Sequence, residues 1–142
     1  MWNSGTDQAI LAHWRQLRAD ICDVGTEQKI SAVAEFIATI PYGTRTLDYY
    51  SPDTWPTPWE ILAYRQFCAS SISLLAYHTL DMVSTAELAL DLIDDGDDVF
   101  LVPVVDAAVL NYYPGEAVPI SDLPETTKNL RRYTRADVKP VR

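Results

Sequence analysis

Histidine is nearly absent from this chain: His13 and His78 are its two copies, and none follows residue 78. Chemistry that needs an imidazole has only those two positions to draw on. Cysteine is equally scarce. Cys22 and Cys68 are too few for a disulfide framework, and no Cys-x-x-Cys pair or Cys/His cluster supplies zinc-ligand spacing. Neither a Cys22–Cys68 bond nor a metal or other cofactor is expected. No apolar run nears the roughly 20 residues of a bilayer span. Asp7, His13, Arg15, Arg18 and Asp20 interrupt the stretch where an export signal would carry its hydrophobic segment. A cytoplasmic setting with no membrane contact is expected.

Basic charge is also in deficit. Against 20 Asp and Glu stand 11 Lys and Arg, a net charge of −9, which excludes general nucleic-acid binding because phosphate neutralisation needs a basic surface. The deficit is uneven. Residues 128–142 hold Lys128, Arg131, Arg132, Arg135, Lys139 and Arg142 against Asp137, a net of +5, while residues 1–127 hold 5 basic and 19 acidic side chains, a net of −14. The chain therefore divides into a single domain over 1–127 and a basic C-terminal tail over 128–142. The tail is solvated, lies on its own domain, or docks on the acidic body of a second copy.

What the chain has in abundance is apolar and aromatic surface: 48% apolar residues, with four Trp and eight Tyr in 142 residues, enough for one packed core. Ser4-Gly5-Thr6-Asp7 offers caps for a helix over about 7–21, with Ile10, Trp14, Leu17 and Ile21 on one face. Thr26 can cap a second helix to about Ile40, striped by Ile30, Val33, Ile37 and Ile40. Residues 41–58 read as an ordered loop, and Pro58 can open a third helix, either separate or joined to the one that follows Cys68. Cys68, Ile72, Leu75 and Thr79 share a face of that last helix.

After Ser84 the period changes to two. Ala86 to Leu92 fits a strand with one buried face; Asp94 to Asp98 is a turn; Val99 to Val105 is a strand whose Pro103 implies an edge position or a bulge. Ala107 to Tyr113 reads as the next strand, and Val118 to Leu123 as a short strand or an extended packing segment. Helices first and strands afterwards indicate an α+β fold, with N-terminal helices and a central Cys-bearing helix packed on a small antiparallel sheet.

A thiol at a helix N-terminus is placed where backbone N–H groups and the helix dipole favour a nucleophilic thiolate. Asp53-Thr54-Trp55-Pro56-Thr57-Pro58-Trp59-Glu60, followed by Cys68 and an apolar helix, resembles the transglutaminase-like cysteine hydrolases. The similarity is greatest to the bacterial transglutaminase-like cysteine proteinases, whose pattern is Asp-x-Trp-x-Thr-Pro-x-Glu and then Gly-Asp-Cys-Glu-Asp. It covers about residues 28–125 and is specific around 53–68. The resemblance implies a transglutaminase-like fold with Cys68 as nucleophile, a general base near Asp98 or Val99, and Asn111 at the position of the orienting acid. The chain departs from the pattern: Gln66-Phe67-Cys68-Ala69-Ser70 lacks the glycine and both flanking acids, and no histidine stands at the base position. The run Pro56 to Glu60 is also similar to one in small tailed-phage proteins, which implies a place in the host cytoplasm or the virion.

The remaining candidates each have a bland alternative. His78 would lie about 15 Å from Cys68 along one helix, too far for a thiolate–imidazolium pair. His13, beside Ile10 and Trp14 on the buried face of the first helix, either packs or serves as proton acceptor. Tyr49, Tyr50, Trp55 and Trp59 line a binding groove or anchor the loop. Glu60 with Asp53 could imitate a carboxylate pair, yet each sits where acids cap turns. The Asp94–Asp98 cluster lacks the order of a calcium loop. Cys68 itself is either the nucleophile or a small core hydrophobe.

Two functions follow, with a third if the family resemblance is superficial. The first is a non-catalytic transglutaminase-like module that binds protein, as a phage accessory or virion component, with self-association through the basic tail as one form of partnership. The alternative is a cysteine hydrolase or acyl transferase in which Cys68 attacks a carbonyl, Asn111 or Gln66 stabilises or orients, and His13 accepts the proton. The third is an α+β interaction domain outside that family.

Overall fold

Helix α1 (Asp7–Ile21) starts where Thr6 takes the cap, its hydroxyl accepting the Ala9 N–H at 3.1 Å. The computed structural model describes residue 2, residues 5–65 and residues 68–140; the sequence candidates Ser4, Gln66 and Arg142 lie outside the described residues. Ile10, Trp14 and Ile21 are buried along α1, as the periodicity requires. Helix α2 (Thr26–Ala38) is capped by Gly25, with Thr26 its first helical residue, and it stops short of Ile40 because the Thr39 N–H turns back to Phe36. Helix α3 (Pro58–Tyr64) is separate and short. Thr57 and Glu60 form a reciprocal capping box at its start, and Arg65 ends it in a left-handed conformation at φ 57°. The Arg65 guanidinium then donates to the carbonyls of Trp2 at 3.1 Å and Gly5 at 2.7 Å and pairs with Asp7, clamping the entry of α1.

Helix α4 (Ala69–Val83) is central, with Ser70 to Leu80 buried without a break. It packs on an antiparallel sheet of five strands: β1 (Leu88–Asp94), β2 (Val99–Val105), β3 (Ala108–Val109), β4 (Val118–Pro119) and β5 (Lys128–Thr134), in the order β4-β3-β2-β1-β5. The expected α+β class is what the chain adopts. No helix among the described residues is long and apolar enough to cross a membrane.

The sheet corrects four sequence expectations. Strand β1 is buried on both faces: Leu88, Leu90 and Leu92 join the helical core, while Ile93 joins a second apolar cluster with Val102, Val104 and Val109. Pro103 lies in neither an edge strand nor a bulge, for β2 pairs with β1 along its whole length. Its carbonyl accepts the Leu110 N–H, so its missing N–H faces the side where the two-residue β3 has ended. Strand β3 is short because Asp106, Ala107 and Asn111 all take positive φ, the first two closing a two-residue hairpin and the third ending the strand.

The fourth correction is the largest. The segment read as a basic tail begins with strand β5, which pairs with β1 at the sheet edge. Arg132 forms a two-pronged ion pair with Asp91, at 2.7 and 2.8 Å, and Asp91 is 1% exposed. Arg135 pairs with Asp81 at 2.7 Å and donates to the carbonyls of Ala86 and Ser84. Arg132 and Arg135 thus pair within their own domain, one of the three places expected for the basic segment. The Tyr133 hydroxyl donates to the Tyr49 carbonyl at 2.6 Å, and its ring meets Trp55 edge-on at 5.1 Å, so the same strand pins the aromatic loop.

Asp91 is buried whereas Arg132 is half-exposed, so removing Arg132 strands a carboxylate at a partly solvated edge. Arg132→Met should therefore destabilise the chain by about 2 kcal/mol in urea unfolding, below the cost at a fully buried pair. The double variant Asp91→Asn/Arg132→Met should recover most of that loss, which distinguishes a stranded carboxylate from lost packing.

Candidate functional site

Cys68 is the N-cap of α4, extended at φ −72° and ψ 175°. Its carbonyl accepts from the N–H groups of Ser71 and Ile72, its own N–H donates to the Arg45 carbonyl at 2.9 Å, and its sulfur lies 4.0 Å from the Ser71 hydroxyl. It is half-buried and lines an open cleft of about 300 Å³. The aromatic residues Tyr42, Tyr49, Phe100 and Tyr112 line this cleft together with Ser70, Asp98, Val99 and Asn111.

Polar side chains fix the helix end that carries the thiol. The Ser70 hydroxyl accepts the Leu101 N–H of β2 at 3.0 Å, filling the ladder position that short β3 does not reach. Asn111, at φ 62°, sends both amide hydrogens to α4: one to the Ala69 carbonyl at 3.0 Å, the other to the Ser73 hydroxyl at 2.8 Å. Asn111 therefore stands in the expected neighbourhood of Cys68, but its donors hold the first turn of the helix. Asp98, immediately before β2, lines the same cleft. Val99 lines it too, so both residues expected near the family's base position, Asp98 and Val99, stand at the thiol's cleft, and neither is a histidine.

The two histidines are elsewhere. His13 is exposed, one residue off the inward stripe of α1, and its ring stacks on Phe36 at 5.8 Å; it does not line the cleft. That overturns its expected place on the buried face. His78 is 3% exposed, and its Nδ1 has no hydrogen-bond partner among the described residues. It lines a separate cavity of about 160 Å³ with Trp55, Pro56, Glu60 and Val138. Burial pushes its pKa down to about 4, against a smaller upward pull from Asp81, so the imidazole is neutral at pH 7.

The four aromatic residues expected to share a groove divide among separate places. Tyr49 lines the Cys68 cleft and Trp55 the His78 cavity; Trp59 packs edge-on against Trp14 at 5.7 Å, and Tyr50 is exposed. Trp55 also donates its indole N–H to the Asp48 carbonyl at 2.6 Å, a loop anchor. Glu60 serves its capping box, accepting the Thr57 N–H at 3.0 Å. In the acidic turn Asp95 accepts the N–H groups of Asp97 and Asp98, bonds that hold its carboxyl below the usual range. Tyr42, Phe100 and Tyr112 were missed as cleft residues. Phe100 stands two positions after Asp98, and that β-strand spacing was the available signal.

No protein-family model matches the chain, and no curated protein matches it. Solved structures do. Calcium-bound LapG of Legionella pneumophila aligns with a TM-score of 0.78 at 14% identity, over 93% of this chain and 78% of that one. EGTA-treated LapG gives 0.78 at 15% identity over 93% and 76%, and a further LapG structure 0.74 at 14% over 94% and 82%. The fold is transglutaminase-like. LapG is a transglutaminase-like cysteine protease, and at this identity the fold is what the likeness carries. Among the described residues no three His, Cys, Asp or Glu side chains converge to hold a metal ion, and Gln66, Phe67, Ala69 and Ser70 flank the cysteine.

His78 gives the transglutaminase-like core a pH signature. Its pKa is lower in the folded chain than the unfolded value near 6.5, so the stability it protects is complete above that pH and is lost as pH falls toward about 4. The loss amounts to about 3 kcal/mol across that window. Urea midpoints compared between pH 7 and pH 4.5 should fall further for the unaltered chain than for His78→Leu, which lacks the titrating group.

Proposed function

We propose that this chain is a non-catalytic transglutaminase-like module that acts by binding protein, with Cys68 retained as part of a cleft wall. The observation that carries this reading is that Asp98 is the titratable side chain beside Cys68 among the described lining of the cleft, where the resemblance places a base at Asp98 or Val99. A carboxylate ordinarily titrates some four units below a thiol, so it is a poor acceptor for a thiol proton, and it gives a thiolate no positive partner. Two further groups point the same way. The Cys68 N–H is already bonded to the Arg45 carbonyl and both Asn111 amide hydrogens are bonded to α4, so neither is free to stabilise an oxyanion.

A role as a phage accessory or virion component rests on the similarity of the Pro56 to Glu60 run to small tailed-phage proteins. The acidic body favours a protein partner over nucleic acid. One observation favours the alternative, a cysteine hydrolase or acyl transferase: Cys68 is half-exposed at the N-terminus of a 15-residue helix, the setting in which thiols become nucleophiles.

Iodoacetamide labelling separates the two, in a Cys22→Ser background because Cys22 is also exposed. The non-catalytic reading expects labelling of folded Cys68 to be about 100-fold slower at pH 6 than at pH 8.5, as thiolate abundance dictates for a peptide thiol. Rates at the two pH values within tenfold of each other would overturn it in favour of the hydrolase.

A further inference from the structure

The Cys68 cleft combines four aromatic rings with a single full charge. Tyr42, Tyr49, Phe100 and Tyr112 line it, Asp98 is the charged side chain among its described lining residues, and no Lys, Arg or His is among them. The ion pairs among the described residues use Asp7, Asp81 and Asp91, and none uses Asp98. The backbone of Asp98, not its carboxylate, closes the turn: its N–H donates to Asp95 and its carbonyl accepts the Asp95 N–H at 3.1 Å. Arg45, whose carbonyl holds Cys68, has its guanidinium over the Tyr64 ring at 4.3 Å.

Aromatic faces carry negative electrostatic potential and attract cations, the more so beside a carboxylate. The opposing influence is the N-terminus of α4, which amounts to about half a positive charge. Asp98 carries a full negative charge at the same cleft, so a cation is favoured there and an anion is not. Negative surface continues outside the cleft, where exposed Asp97 adjoins Asp98 in the acidic turn. The ring of Tyr42, 67% exposed, is surface that a ligand would cover.

We propose that the Cys68 cleft receives a basic segment of a partner protein, with one lysine or arginine side chain passing between the tyrosine rings to meet Asp98. This deepens the non-catalytic reading and rests on it. The rings grip the aliphatic stem, the carboxylate takes the charged head, and the acidic turn attracts the neighbouring basic residues of the segment.

The test is fluorescence anisotropy with the full chain and three fluorescein-labelled nonapeptides: alternating lysine and glycine, the same peptide with its lysines acetylated, and a glutamate–glycine counterpart. The lysine peptide should bind, and the other two should not. Asp98→Asn should weaken binding at least tenfold and Tyr42→Ala about fivefold, while Asp97→Asn, outside the cleft, should change it less than twofold; thermal melts of each variant verify folding. Equal losses from Asp98→Asn and Asp97→Asn, or undiminished binding of the acetylated peptide, would overturn the proposal, since either means the cleft does not read the charge. Self-association that Asp98→Asn abolishes would assign the cleft to a second copy and overturn the partner assignment. Intact-mass analysis of the same mixtures keeps the underlying reading separate. Cleavage of the bound peptide that disappears in Cys68→Ser overturns the non-catalytic reading and leaves the cation preference standing. Absence of both binding and cleavage overturns the cation preference alone.

Discussion

Helix α4 has no solvent face along Ser70 to Leu80, so its polar side chains need partners inside the fold. Three of them are tied to three different neighbours, while the Nδ1 of His78 has none among the described residues. Ser70 takes the Leu101 N–H of β2, Ser73 takes the Asn111 amide, and Thr79 takes the Trp14 indole N–H of α1 while donating to the Leu75 carbonyl. These bonds fix the helix in rotation and along its axis, something apolar packing alone does less exactingly because it is not directional. The position of Cys68 follows from them, as does the spacing of the cleft walls contributed by β2 and the turn at Asn111.

The cleft held by that frame has Asp98 and Cys68 among its lining residues and no histidine among the described ones. Two donors beside the thiol are committed within the fold. The Cys68 amide is bonded to the Arg45 carbonyl, and Asn111 is committed to holding the helix. In this arrangement the thiol is one polarizable wall among aromatic ones.

Much of the helical half was legible because its signals are local. Thr6 before α1, Thr57 and Glu60 around Pro58, and Cys68 immediately before an apolar stretch each announce a helix start within a few residues. The start of β2 was legible for the same reason, since the turn from Asp94 to Asp98 marks where that strand begins. Strand β5 was not legible. Six of its seven residues are exposed and Tyr133 alone is buried, so it has no alternation to read, and what recruits it is an ion pair between residues 41 positions apart. His13 shows how little separates success from failure on a helix: it neighbours buried Trp14 in sequence, yet one residue turns a side chain by about 100°. The interruption of β3 was hidden because Asp106, Ala107 and Asn111 reach positive φ without a glycine to signal it.

The pairing of β5 with β1 also dictates an order of folding. Strands β1 and β2 are joined by a four-residue turn and can pair early, whereas β5 must close a loop of more than 30 residues before it gains any contact. Until it does, β1 is an edge strand and its Asp91 carboxylate lacks its counterion. A nascent chain that has emerged only as far as β4 therefore holds an unfinished sheet, open along β1. The last stage of assembly is an electrostatic one, waiting on Arg132.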